Sequence, residues 1–532
     1  MTSAPKTSRG TKAARASRKA ATKSPARKAS GRSSSRRAPV EAPPPPSASG
    51  GGGGGNAAGS GAMRASVRVY RQGLGDCILV RVKRKSGDDF KLLIDCGVVL
   101  GTADASSIMT RVVENVVADT KEKNDDAKGK IDVLAITHEH WDHLSAFNQA
   151  AASFAKLAVD SVWVAWTEDP DDDLAKQLKS ELGKAEAALA ACATAFHATG
   201  DGATVDMLAD IALTAFGAAA SSSTSTKAAF DRAKAMAKVT ICWPTGDPFE
   251  IPDANARLYV IGPPHDPKLI RKINPSTSSP EAYGIAMNGA GALPLGVISA
   301  LDNRKAASDQ TSPLVDDSKA PFHPRVTIPL GPKGWPWSFD DGRSVDEDDW
   351  KRIDNFLREH YYGGDDWRRI DGDWLGSATE LALALQSYTN NTSLVLALEL
   401  GDVGKGDVLL FAADAQVGNW ESWQTWQWEK DGNKVTGPDL LKRTIFYKVG
   451  HHGSHNATLK EHGVDQMDAL KTAIIPVDEK QALKKRWGWM PLPDLIAALE
   501  KKAPGRVLRT DQKPASPPEN VVISDNYFEL RL

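Results

Sequence analysis

From residue 66 onward the chain alternates apolar and polar positions in short runs, the period-2 pattern of half-buried strands. Val67 and Val69 mark a strand over 66–72, a second spans 77–82, and Ser86-Gly87-Asp88-Asp89 reads as a hairpin turn into a third over 90–95. The period then lengthens. Ile108, Val112, Val113 and Val116 recur at helical spacing and predict a helix over 106–120. Residues 131–136, apolar apart from Asp132 and rich in branched side chains, read as a short buried strand. Further strands are predicted over 159–166, 239–243, 257–262, 392–400, 407–412, 444–449 and 472–477. A helix is predicted over 491–501, and one or two edge strands over 521–532. The mixture falls in the α+β class.

Three stretches break this pattern. Residues 171–238 are Ala-rich, with helical periodicity interrupted at Gly200-Asp201-Gly202 and by the Ser/Thr run 221–226, and predict two or three helices beside the core. Residues 266–388 read as a loop-rich insertion in which Trp335, Trp337, Trp350, Trp367 and Trp374 either staple loops or line a cleft, stapling being the commoner use of aromatic side chains. Residues 1–62 hold few large apolar side chains, so burial there cannot offset the entropy lost on ordering. A disordered basic tail is expected, its part 41–62 being a Pro- and Gly-rich linker. The plan is thus a tail over 1–62 and a folded domain over 63–532, with insertions at about 170–238 and 266–388.

Charge sharpens the division. The net charge of −1 averages a tail with twelve Lys and Arg against the single acid Glu41, and a remainder with 54 basic and 66 acidic residues. The run Lys12, Arg15, Arg18, Lys19 can bind phosphate backbones without sequence preference, or serve only as a solubilising extension. Cys77, Cys96, Cys192 and Cys242 are widely spaced with no C-x-x-C pair. Neither a disulfide framework nor a cysteine zinc site is expected, in keeping with a reducing cytoplasm. No apolar run approaches the roughly 18 residues of a membrane span, and no secretory signal is expected.

The chemistry concentrates in Thr137-His138-Glu139-His140-Trp141-Asp142-His143, directly after the strand 131–136; three of the chain's eleven His lie in these seven residues. His138 and His140, two apart, point the same way in extended chain. Asp142 and His143 follow as the chain turns into a helix beginning near Leu144. Such a loop offers two imidazoles to one cation and a carboxylate with an imidazole to a second, a donor set suited to Zn and also to Mn or Fe. Downstream, Ala413-Asp414 ends a strand, and Gly450-His451-His452-Gly453-Ser454-His455 ends another, its flanking glycines allowing close approach of the backbone. On local sequence alone, Asp95 and Asp414 read as turn residues.

The H-x-H-x-D-H loop after a strand resembles the signature of the metallo-β-lactamase superfamily of metal-dependent hydrolases. In sequence order, Gly73-Leu74-Gly75-Asp76, Leu93-Ile94-Asp95-Cys96-Gly97, the metal loop, Gly262-Pro263-Pro264, Asn390-Asn391-Thr392-Ser393-Leu394-Val395-Leu396, Ala413-Asp414 and His451-His452-Gly453-Ser454 look like the soluble hydrolase domain of ComEC-type DNA-uptake proteins. The resemblance covers roughly 65–265 and 390–480. It implies a four-layer αββα sandwich with the metals at one edge, carrying two divalent ions, Zn foremost and Mn next. His138 and His140 would bind one ion, Asp142 and His143 the other. Asp414 would bridge, His451 would complete the second site, and His452 would be an alternative ligand or a proton donor. Asp95 would support a ligand histidine by a hydrogen bond.

Three features depart from the family pattern: Ser145-Ala146 stands where a Gly-Gly is usual, the insertions are large, and no third His for the first ion is evident, His265 and His197 being weak candidates. The implied chemistry is hydrolysis by a metal-activated hydroxide, oriented by Asp142, with His452 or His455 protonating the leaving oxygen. A phosphodiester, and nucleic acid in particular, is the leading substrate. A lactone, thioester, β-lactam or cyclic nucleotide is the alternative, as is a non-catalytic DNA-tethered binding protein. Protein partners are unknown, and no membrane partner is expected.

Overall fold

The computed structural model describes residues 63–122, 125–183, 225–244, 246–272, 346–362, 385, 387–430, 432–485, 487–514 and 516–532. All of the unit Met1–Gly61, with Lys12, Arg15, Arg18 and Lys19, precedes them, and the described residues belong to the unit Ala62–Leu532. Most of the two expected insertions also lies outside them, including His197, Trp335, Trp337, Trp367 and Trp374.

The strands, in chain order, are β1 (Ala65–Tyr70), β2 (Cys77–Lys83), β3 (Asp89–Cys96), β4 (Lys121–Glu122), β5 (Asp125–Ala135), β6 (Leu157–Ala165), β7 (Thr240–Trp243), β8 (Phe249–Glu250), β9 (Ala256–Gly262), β10 (Val395–Leu400), β11 (Asp407–Phe411), β12 (Gln427–Lys430), β13 (Asn433–Thr436), β14 (Thr444–Lys448), β15 (Thr472–Ile475), β16 (Val507–Arg509), β17 (Val521–Ile523) and β18 (Tyr527–Arg531). They form a nine-stranded sheet ordered β17-β18-β1-β2-β3-β5-β6-β7, with β4 beside β5, and a seven-stranded sheet ordered β16-β15-β14-β11-β10-β9-β8. β12 and β13 form a separate pair.

Alternation along each strand sorts side chains to opposite faces. Leu92 and Ile94 of β3 enter an apolar cluster that also holds Leu396, Leu398, Leu409 and Phe446 of the other sheet. Leu93 between them packs instead with Met109, Val113 and Val116 of the helix Ala105–Thr120 and with Leu144 and Phe147 of the helix Trp141–Gln149. In the second sheet Leu258 and Val260 face the shared cluster. Tyr259 and Ile261 pack on the other side with Trp420 and Trp423 of the helix Val417–Trp423 and with Leu495 and Leu499 of the helix Pro493–Lys502. The helix Thr226–Lys234, expected as part of an insertion, contributes Phe230 to the first sheet's helical cluster.

The C-terminal segment supplies one edge strand, β17, and a second strand inside the sheet, because β18 lies between β17 and β1. Its pairing sets Phe528 opposite Val69 and Leu530 opposite Val67, and both are buried.

Two parallel registers position the site. β3 pairs with β5 so that Ile94 lies opposite Ala135, and the chain ends carrying Asp95 and Thr137 emerge side by side. β11 pairs with β14 so that Phe411 lies opposite Lys448, and Asp414 and His451, three residues further along each, also emerge together. The chain entering β10 ties the second sheet to the loop after β5, where Leu394 N donates to Thr137 O at 2.8 Å.

Candidate metal centre

Asp95 ends β3 in a left-handed backbone conformation, φ 53°, which turns its carboxylate onto the metal loop. Oδ1 accepts from Thr137 N at 2.8 Å. Oδ2 accepts from Thr137 Oγ1 at 2.7 Å and from His143 Nδ1 at 2.8 Å. Because Thr137 donates to Asp95, its oxygen is left to accept from His138 Nδ1 at 3.0 Å. A single carboxylate thus fixes two imidazoles, His143 directly and His138 through a hydroxyl, and leaves the Nε2 of each for the interior. This is the second-layer hydrogen bonding by which metal-ligand histidines are oriented.

The free nitrogens converge. His138 Nε2 and His140 Nδ1 face each other at 2.9 Å, and His138 Nε2 lies 3.9 Å from Asp414 Oδ2. His143 Nε2 lies 3.3 Å from the same oxygen. Two donor groups result, His138–His140–Asp414 and Asp142–His143–Asp414–His452, all buried and sharing Asp414. Asp142 sits in the first turn of its helix, and its Oδ2 is 3.1 Å from His452 Nε2, whose Nδ1 donates to Pro476 O at 2.7 Å.

The His451–His452 pair is arranged differently from the expectation. His452 closes the group around Asp142, as the alternative ligand expected of it, and at 1% side-chain exposure it is poorly placed to reach a leaving group. His451 sits at the rim, 15% exposed at its side chain, with Nε2 3.9 Å from Asp414 Oδ2. Its Nδ1 is 2.8 Å from Ser454 Oγ, and Asn390 Nδ2 donates to its Nε2 at 3.4 Å. The reason is backbone conformation: both histidines are left-handed, at φ 42° and 53°, so consecutive side chains that strand alternation would send to opposite faces both approach Asp414. Ala413, which accepts from His451 N at 3.0 Å, is left-handed too. Among the described residues, four of the seven non-glycine residues with positive φ are therefore at this site, and such conformations persist only where the surroundings impose them.

Electrostatics sets most of the donors in a cation-ready state. Burial lowers His138 well below the usual imidazole range and His140 and His451 to about 4, so all three are neutral at pH 7. Burial pushes Asp142 upward, but His143 and the hydrogen bond from His452 bring it down to about 2. Asp414 is likewise held well below the usual carboxylate range by His143 and His451 against the effect of burial. His143 is the exception: burial opposes its charge, but Asp414, Asp95 and Asp142 raise it well above the ordinary value. His452 is also raised, chiefly by Asp142 against burial.

These residues fit divalent ions. His140 Nε2 and His143 Nε2 are buried without a hydrogen-bond partner, and His138 Nε2 and His140 Nδ1, 2.9 Å apart, can share only a single ring proton between them. Imidazole and carboxylate donors match Zn or Mn.

Residues 70–207 match the metallo-beta-lactamase superfamily. The matched stretch contains Asp76, Asp95 and the whole H-x-H-x-D-H loop, and stops before Asp414, His451 and His452. Members of that superfamily are mostly metal-dependent hydrolases. Comparisons with curated proteins and with solved structures return no match.

Other expected residues fall elsewhere. His265 bonds Asp172 through Nε2 at 2.8 Å and packs at a tilt against Trp166, and it belongs to neither donor group. His455 is exposed. Ser145, in place of a small glycine, uses its hydroxyl to accept from Val98 N at 2.8 Å and so ties the helix to the loop after β3. Sequence reasoning missed Lys448. The signal was a lone cation closing the apolar run Thr444-Ile445-Phe446-Tyr447 just before the histidine pair.

Proposed function

We propose that this chain is a metal-dependent phosphodiesterase acting on nucleic acid, built as a four-layer αββα sandwich of the metallo-β-lactamase kind. The observation that carries the hydrolase reading is the pair of buried donor groups sharing Asp414, on loops from both sheets. The order of motifs like those of ComEC-type hydrolases and the twelve basic residues of 1–62 support the substrate class. Free thiols at Cys77 and Cys96, opposite one another across β2 and β3, support a reducing, cytoplasmic setting.

His138, His140 and Asp414 would hold one divalent ion, and Asp142, His143, His452 and Asp414 the other. Such ions activate water near neutral pH and neutralise charge on a phosphoryl group. The chain supplies orientation. Asp95 and Thr137 fix His138 and His143, His452 fixes Asp142, and burial keeps His138 and His140 unprotonated. His451, neutral at pH 7 and with part of its side chain exposed at the rim, is the imidazole placed to exchange a proton with a substrate there.

The test is hydrolysis of bis-p-nitrophenyl phosphate and of labelled single- and double-stranded DNA by the Zn- or Mn-loaded protein. Cleavage of both supports the proposal. A loaded protein that hydrolyses neither, but opens a lactone or thioester, moves the assignment to a small-molecule hydrolase.

A further inference from the structure

Beneath the donor groups lies a cation that the hydrolytic scheme does not use. Lys448, the last residue of β14, is fully buried, with a side-chain exposure of 0%. Its Nζ pairs with the Asp76 carboxylate, donates to Ala413 O at 3.0 Å and lies 3.9 Å from Asp414 Oδ1. Burying an ammonium this completely is costly unless its charge is matched, and here two carboxylates and a carbonyl match it. Asp76 is itself anchored: its N donates to Asp142 O at 3.1 Å, and its own carbonyl accepts from Gly97 N at 2.9 Å. Its carboxylate is 4.0 Å from the Nδ1 atoms of both His143 and His452. The Lys448–Asp76 pair therefore connects the loops bearing Asp95, Asp142 and Asp414, and it does so across the two sheets.

The two oxygens of Asp414 are treated unequally. Oδ2 faces the Nε2 atoms of His138, His143 and His451 at 3.9, 3.3 and 3.9 Å. Oδ1 is turned toward the ammonium. The geometry points to Lys448 as a positioning residue for the shared ligand. Through its hydrogen bond to Ala413 O and its charge 3.9 Å from Oδ1 it biases Asp414 to present Oδ2 to both donor groups, and it balances the charge of Asp76 in the nearby group Asp76–Asp95–His143.

This inference rests on the reading of the site as a two-cation centre, and the test separates the two. Co(II) is titrated into metal-free wild type, Lys448→Met, and the double variant Lys448→Met with Asp76→Asn. The double variant removes both charges, so the fold is not left with a lone buried carboxylate, and far-UV circular dichroism checks it. The readouts are Co(II) equivalents, their affinities and the visible ligand-field spectrum. The expected result is a folded double variant whose weaker Co(II) equivalent loses about 10- to 100-fold in affinity, with a changed spectrum, as when other residues supporting metal ligands are removed. Wild-type affinity and spectrum in the folded double variant would overturn the positioning role. A wild type that binds no Co(II) would instead overturn the metal-centre reading.

Discussion

Asp95 shows how far one side chain can organise a site. Its two oxygens accept three hydrogen bonds, and through Thr137 it sets the ring orientation of His138 as well as His143. Asp95→Asn and Thr137→Val are each expected to weaken metal binding about 10- to 100-fold while leaving circular dichroism unchanged, measured by competition with a chromophoric chelator. Protonation gives a second test. His143 is raised well above the ordinary imidazole value, so at pH 7 it carries a proton that a metal must displace, and His452 is shifted in the same direction. Metal binding should therefore release protons at pH 7 and strengthen as pH rises, and the release should vanish above the raised values. Calorimetry in two buffers of different ionisation enthalpy reads this, and no buffer dependence would contradict it. At this scale the sequence spoke clearly for the H-x-H-x-D-H residues, because four ligand-type side chains in a six-residue loop leave little else to explain them. It was nearly silent on Asp76 and Lys448. Their roles come from a contact between residues 372 positions apart, which no local pattern encodes.

Secondary-structure elements carry the site because their ends are level. The parallel registers of β3 with β5 and of β11 with β14 bring the loops out together. Close approach then depends on glycine. A Cβ on Gly97 would lie 2.5 Å from the backbone of Asp142, at the start of the helix that bears two donors. Gly97→Ala must push that helix away, and it is expected to cost about 1–3 kcal/mol, seen as a lower Tm, together with weaker metal binding. An unchanged Tm and affinity would show that the helix can shift freely. Strand periodicity placed most of these elements correctly from Val67 to Ile475, since each strand is sorted between two apolar faces. It left the place of β18 in the sheet open, because whether a strand is central or at an edge depends on its neighbours and not on its own residues. The left-handed turn at His451 and His452 was likewise invisible, both residues being uncommon in that conformation.

For the molecule as a whole, one apolar cluster draws on both sheets, and the donors come from loops of both, so the site exists only when the two sheets pack. The basic stretch 1–62 carries twelve Lys and Arg, and we propose that it adds phosphate contacts that take no part in the hydrolytic step. Its removal should leave hydrolysis of bis-p-nitrophenyl phosphate unchanged and flatten the salt dependence of DNA binding, read as the slope of log affinity against log salt; an unchanged slope would assign the tail no such role. The division between a basic tail and an acidic body was legible in composition alone, whereas the insertions gave only a helical or loop-rich character. The central claim is that His138, His140, Asp142, His143, Asp414 and His452 hold divalent metal. Its most direct test is the metal content per chain, by mass spectrometry after Zn loading and dialysis, of wild type beside His140→Ala and Asp414→Ala. The account predicts close to two equivalents in the wild type, a loss of about one in His140→Ala and of both in Asp414→Ala. A folded wild type that retains no metal, or variants that retain as much as the wild type, would contradict it.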